Sequence, residues 1–216
     1  MSIDPEDYEY DVFISYLCTN PSGKPAPTCT WVREYLYPEL ETWLPDYVDA
    51  GRQTPIFFDK ICIKTGDDWR LHILEALQTS RCLVAVFTSQ YFGSPWCQAE
   101  LNTILERQKE LQQQKKLPRK SGLIYPIRLS GEAFTPARFK HIQTRKDLSK
   151  FYRTDSNFKT SEDYAKFQRI IREEVCLELS TMFLAVPDWD RNWPVVQPEE
   201  KQTPTPTITN EYVRLS

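Results

Sequence analysis

The chain has 216 residues, enough for one domain with a proper core and a tail but too few for two comfortable domains. Its formal net charge is −3, so no global field argues for nucleic acid, and the basic run from Arg107 to Lys120, diluted by Glu106 and Glu110, reads as a solvated helix end and loop. Six cysteines (18, 29, 62, 82, 97 and 176) form no Cys-x-x-Cys pair and neither His72 nor His141 lies near them in sequence, which argues against zinc and against a disulfide framework.

From the N-terminus, residues 1–7 are acidic and polar with no signal-peptide core. No apolar run approaches the roughly 18 residues that span a bilayer, so a cytoplasmic protein without a membrane partner is expected. Tyr10 to Ser15 is the first strand, and Leu17 to Thr28, with Asn20, Pro21, Gly23, Pro25 and Pro27, is a loop. A helix over Thr30 to Trp43 carries Trp31, Tyr35, Leu36, Leu40 and Trp43, and Pro38 inside it predicts a kink or an early end. Strand two is Thr54 to Asp59. A loop from Lys60 to Asp68 then leads into a helix at Trp69 to Gln78.

Cys82 to Phe87 is a buried third strand, followed by a helix to about Gln114. Gly122 to Arg128 is a fourth strand. Leu129 to Lys159 reads as short helices and loops, and Ser161 to Ala185 as a last helix with Ser161-Glu-Asp at its start and Pro187 beyond its end. Residues 187–216 form an extended segment with Trp189, Trp193 and prolines, then a tail rich in Thr and Pro. This βα alternation predicts an α/β, flavodoxin-like fold, a parallel sheet of about five strands flanked by helices on both faces, over residues 8–186.

The six glycines are scattered, with neither a G-x-G-x-x-G nor a Walker loop, so a Rossmann dinucleotide site of the usual kind is not expected. Two histidines give no supportable Ser-His-Asp or Cys-His arrangement. The acidic pair and phospho-acceptor Asp of a response regulator are also missing from the strand ends.

One carboxylate stands out. Ser94 is a good N-cap and Pro95 suits the first helical position. Trp96 and Glu100, four apart, then stack on one side of the helix. Cys97, Leu101, Ile104 and Leu105 form the apolar stripe, and Glu100 falls roughly 80° from its centre. A Glu on that margin, above a strand end, can face a ligand cleft. The helix macrodipole also favours a solvated Glu early in a helix, so spacing alone leaves both placements open.

The run Ser94-Pro-Trp-Cys-Gln-Ala-Glu-Leu101 resembles the Ser-x-Trp-Cys-x-x-Glu-Leu signature of Toll/interleukin-1 receptor (TIR) domains, particularly those of plant immune receptors and bacterial defence proteins. Tyr10-Asp-Val-Phe-Ile-Ser-Tyr16 is similar to that family's opening strand. Ile56-Phe-Phe-Asp-Lys60 and Ile63-Lys-Thr-Gly-Asp-Asp-Trp69 resemble its second strand and following loop, and Leu74-Glu-Ala-Leu-Gln-Thr-Ser-Arg81 its next helix. Together these motifs cover about Tyr8 to Leu105. The chain departs from the pattern after Tyr16, where Leu-Cys-Thr-Asn replaces the basic residues of many TIR enzymes, and the likeness is loose beyond Leu129.

The resemblance implies an enzyme that cleaves NAD at the nicotinamide–ribose bond, with Glu100 as the catalytic residue, NAD as substrate rather than resident cofactor, and no metal. Tyr16 as a cleft-facing residue, Trp96 as a ring for nicotinamide, and Lys60, Lys64 and Asp67 as contacts to ribose or phosphate complete the expected site. Phe13 is assigned to the core. The resemblance also implies homo-oligomerisation through TIR–TIR contacts and a possible separate effector protein. A non-catalytic adaptor working by TIR–TIR association through the Lys60 to Asp68 loop is the alternative, and a bacterial effector that disturbs host TIR signalling is a third reading.

Overall fold

A computed structural model describes residues 7–20, 22–49, 52–58, 69–131 and 136–199. Lys60, Lys64, Asp67 and the rest of the Lys60–Asp68 loop lie outside the described residues, as does the tail beyond 199.

Five parallel strands run in the order β2-β1-β3-β4-β5, where β1 is Tyr10–Ser15, β2 Ile56–Phe57, β3 Ser80–Phe87, β4 Ile124–Arg128 and β5 Lys146–Asp147. This is the expected flavodoxin-like α/β arrangement. Because side chains alternate along a strand, β1 sends Val12 and Ile14 to one face and Phe13 to the other. The first face packs on α1 (Pro27–Trp31), α2 (Tyr37–Trp43), α5 (Glu162–Ile170) and α6 (Cys176–Phe183) through Trp31, Leu40, Phe167 and Leu179. The second packs on α3 (Trp69–Gln78) and α4 (Pro95–Gln113) through Ile73, Leu77, Leu101 and Ile104. Both faces of β3 are therefore covered, which is why it reads as a continuous apolar run. Among the described residues no helix is long and apolar enough to cross a membrane.

The first helical stretch differs from expectation at both features named above. It starts at Pro27, where a missing N–H costs nothing, rather than at Thr30. It also runs through Pro38 instead of ending there. The turn Val32–Leu36 opens to π geometry, with Tyr37 N–H bonding Val32 O, so the proline falls at the start of the renewed α segment. The last helix carries a second π turn, Ile171–Val175, between α5 and α6. Buried Glu39 joins these two helical stretches, accepting from Trp43 Nε1 at 2.8 Å, Tyr164 Oη at 2.7 Å and Gln168 Nε2 at 2.9 Å.

Helix α4 carries a second buried stripe that is polar: Glu100, Thr103 and Arg107. Arg107 is fully buried, which corrects the reading of it as part of a solvated helix end. Its guanidinium donates to the carbonyls of Ser80 (2.7 Å), Leu77 (3.0 Å) and Gln78 (3.2 Å) and stacks on Trp193 at 4.3 Å. Burial lowers its pKa to about 10, still cationic at neutral pH. Thr103 Oγ1 accepts from Val196 N–H at 2.8 Å, and Tyr8 donates to Pro187 O at 2.8 Å. After a turn at Asp190–Trp193, residues 193–199 are thereby laid along α4.

Candidate functional site

The site forms where the strand order reverses. From β1 the chain builds β2 on one side and β3 on the other, and the carboxyl ends of β1 and β3 meet the first turns of α4. Ser94 caps that helix, its Oγ accepting from Cys97 N–H at 3.3 Å, with Pro95 following. The cap fixes where the helix begins and so places Glu100 in its second turn, over the end of β1.

Glu100 is 8% exposed. Its Oε2 accepts from Ser15 Oγ at 2.5 Å, and Ser15 Oγ lies 2.7 Å from Tyr91 Oη. A hydroxyl has one proton to give, and that of Ser15 goes to the carboxylate. Tyr91 is therefore the donor of the second bond, so the chain runs from Tyr91 O–H to Ser15 O–H to Glu100. Tyr91 is fully buried in the turn Tyr91–Gly93 after β3, also 3.3 Å from Cys97 O, and burial holds its phenol well above the ordinary range. It remains a neutral donor over the working pH range.

Glu100 and Trp96 share a side of α4, as their spacing predicts. Trp96 is half-buried and packs on Trp69 with ring centroids 4.8 Å apart; Trp69 itself is 43% exposed, with Arg70 5.5 Å over its ring. A separate cavity of about 220 Å³ lies on another side of the same helix, lined by Gly93, Pro95, Gln98, Ala99, Asn102 and Arg138 among others and by neither Glu100 nor Trp96.

Tyr16 differs from expectation. The alternation that puts Phe13 and Ser15 on the α4 side puts Tyr16 with Val12 and Ile14 on the other, where it is buried against Phe58 at 5.6 Å. Its backbone carbonyl lies 3.5 Å from Cys97 Sγ on α4. Phe13 is in the core, stacked on Phe57 at 4.8 Å. Ser15 and Tyr91 escaped the sequence reading, although Ser15 lies inside the first motif quoted and Tyr91 only three residues before the last. The available signal was Ser15 at the carboxyl end of a buried strand, where an unpartnered hydroxyl is costly.

The geometry offers one oriented, largely desolvated carboxylate beside neutral hydroxyl donors. Among the described residues no group of three or more His, Cys, Asp or Glu is placed to hold a metal ion.

The sequence model of the TIR domain matches residues 12–171. No curated protein matches the chain. Among solved structures, the TIR domain of the Toll-related receptor TRR-2 from the lower metazoan Hydra magnipapillata is similar at 20% identity and a TM-score of 0.43, over 74% of this chain and 98% of that one. The TIR domains of the activated Roq1 resistosome, which directly recognises the pathogen effector XopQ, are similar at 19% identity and a TM-score of 0.36, over 81% of this chain and 85% of that one.

Proposed function

The chain belongs to the TIR domain family, and from that membership we propose an enzyme that cleaves the nicotinamide–ribose bond of NAD as a glycohydrolase, ADP-ribosyl cyclase or ADP-ribosyl transferase. The observation that carries this reading is Glu100, a carboxylate 8% exposed and held by Ser15 at 2.5 Å at the carboxyl end of β1. Burying a charge without a partner is costly, and a glutamate kept for helix stability alone would face water.

One carboxylate suffices for this bond. Ordinary glycoside hydrolysis needs a second carboxyl group to protonate the leaving oxygen. Nicotinamide instead leaves a cationic precursor as a neutral amine. Glu100 then has two tasks, to hold ribose hydroxyls and to offset the positive charge that develops on the ribose as the bond breaks. Trp96 supplies a ring for the nicotinamide, and Lys60, Lys64 and Asp67 charge for ribose and diphosphate. The product serves as a nucleotide signal to a separate effector, or NAD is depleted in antiphage defence.

The test is overnight incubation of concentrated protein with NAD, followed by mass spectrometry, beside Glu100→Ala. NAD lost with the parent and kept with the variant supports the assignment, and the product mass separates hydrolysis, cyclisation and transfer. NAD intact with the parent at high concentration overturns it.

A second reading, association of TIR domains as a non-catalytic adaptor, is favoured by the exposure of Trp69 (43%) and Leu71 (55%) on the first turn of α3, next to the Lys60–Asp68 loop. Scrambling that loop and comparing size-exclusion profiles separates the two. Loss of assembly and of turnover together makes association the switch for catalysis.

A further inference from the structure

Two adjoining cavities of about 490 and 700 Å³ lie along the β4–β5 edge of the sheet, away from β1 and Glu100, sharing Ile142, Gln143, Thr144 and Arg145. Their walls are the loop between α4 and β4 and the segment that enters β5. Both walls are tied down. Gln108 Oε1 accepts from Leu123 N–H at 2.8 Å and Gln112 Nε2 donates to Ser121 O at 3.2 Å, while Arg145 N–H bonds Pro126 O at 2.9 Å. Pro126 has no N–H to offer β5, yet its carbonyl still anchors the segment there.

The charge in this groove is one-sided. Arg119, Lys120, Lys140 and Arg145 line it with His141, and among the described residues none of these four cations has a carboxylate partner. Outside the groove some cations lie against a carboxylate, as Arg33, Arg81, Lys146, Arg153 and Arg172 do, and others such as Lys24, Lys150 and Arg169 have none among the described residues; what sets the groove apart is that four such cations line one concavity. The carboxylate that does line the groove, Asp147, is taken by Arg128 at 2.7 Å. On a chain of net charge −3, this concentration of uncompensated positive charge in a concavity is a local construction.

We propose that this groove is a second ligand site, separate from Glu100, that binds a linear oligophosphate. Cavities of this size suit a small ligand. The cations are distributed along both cavities, which matches several phosphates in a row better than a single anion, and guanidinium, ammonium, hydroxyl (Ser121, Thr144) and amide (Gln143) groups are the usual phosphate contacts. Among the described residues no Phe, Tyr or Trp lines either cavity and His141 is the one aromatic ring there, so the phosphate chain carries most of the recognition.

The test is calorimetric titration of the full chain with inorganic tripolyphosphate, ATP and a pentaglutamate peptide, without NAD, so that its outcome is independent of the enzyme reading. Tripolyphosphate and ATP are expected to bind and pentaglutamate is not, with affinity falling as salt is raised. Tripolyphosphate at least as tight as ATP identifies the free chain as the ligand; ATP tighter identifies a nucleoside polyphosphate. Arg119→Ala with Arg145→Ala is expected to weaken binding at least about tenfold, and Lys24→Ala with Arg169→Ala, outside the groove, to leave it unchanged. These are exposed side chains, and an unchanged melting temperature without ligand confirms that each variant folds. No binding of either phosphate, equal binding of pentaglutamate, or equal weakening by the outside pair overturns the site.

Discussion

Ser15 Oγ donates to Glu100 Oε2 at 2.5 Å, joining the last residue of β1 to the second turn of α4. The bond orients the carboxylate. Ser15→Ala removes it. If Glu100 is the catalytic carboxylate, turnover is expected to fall roughly 10- to 100-fold through lost positioning, with kcat falling more than KM rises. Ser15→Thr keeps the hydroxyl and is expected to recover part of the rate. A kcat in Ser15→Ala equal to that of the parent contradicts the positioning role.

Tyr91→Phe separates the second bond of the chain from the first. Ser15 still donates to Glu100, but its oxygen loses the donor at 2.7 Å inside a site with no exposed surface at Tyr91. The expected cost is about 1 kcal/mol of stability by chemical denaturation. Turnover should fall less than in Ser15→Ala. Because burial holds the Tyr91 phenol well above its ordinary range, no alkaline limb of the parent profile belongs to it, and the basic side is expected to be the same in Tyr91→Phe.

The contrast between Glu100 and Arg107 shows what sequence spacing reveals. The strands, the order of elements and the Ser94 cap were legible because each rests on a local signal: alternation, an apolar run or a cap residue. Helix α3 was placed at Trp69–Gln78 and the α4 helix from Pro95, as observed. Glu100 was legible as a carboxylate on the margin of the apolar stripe. Arg107 stands seven residues on, along the same polar stripe, and was misread. Its burial depends on three carbonyls at the α3–β3 junction and on Trp193, none of them local to α4. β5 was missed for another reason: two residues are too few to show a period, and Lys146 is held there by Glu174 and Glu178 of the last helical stretch.

Trp193 closes the buried side of Arg107, at 4.3 Å from its guanidinium and 6% exposed. Trp193→Ala removes the stacking ring and opens a cavity beside a buried cation. The expected loss is about 3 kcal/mol in urea denaturation, with faster proteolysis near residues 187–199. A loss below about 0.5 kcal/mol, the usual range of surface substitutions, would mean that this segment does not hold α4.

Asp147 gives a pH dependence with a definite sign. The Ser149 hydroxyl and Arg128 hold its carboxyl down to about 2, below its ordinary 3.8. Its stabilisation is therefore complete above the ordinary value and is lost as pH falls through about 2. The side chain is 45% exposed, so solvent screening keeps the contribution under about 1 kcal/mol. Asp147→Asn is expected to be less stable than the parent at pH 6, with the difference shrinking below pH 4 in parallel urea titrations.

Trp69 and Leu71 test whether the first turn of α3 takes part in assembly. Both are large apolar side chains left 43% and 55% exposed, while the buried side of the same helix is supplied by Ile73, Ala76 and Leu77. Trp69→Ser with Leu71→Ser spares those three residues but removes the ring that packs on Trp96, and the monomer is expected to lose about 1 kcal/mol of stability. Self-association should weaken at least about tenfold in sedimentation velocity, through the apolar area no longer buried. Trp69 also packs on Trp96, on the side of α4 that carries Glu100, so assembly and turnover are expected to fall together if association orders the site. Full turnover by a strictly monomeric double variant would separate catalysis from assembly and leave Trp96 independent of its neighbour.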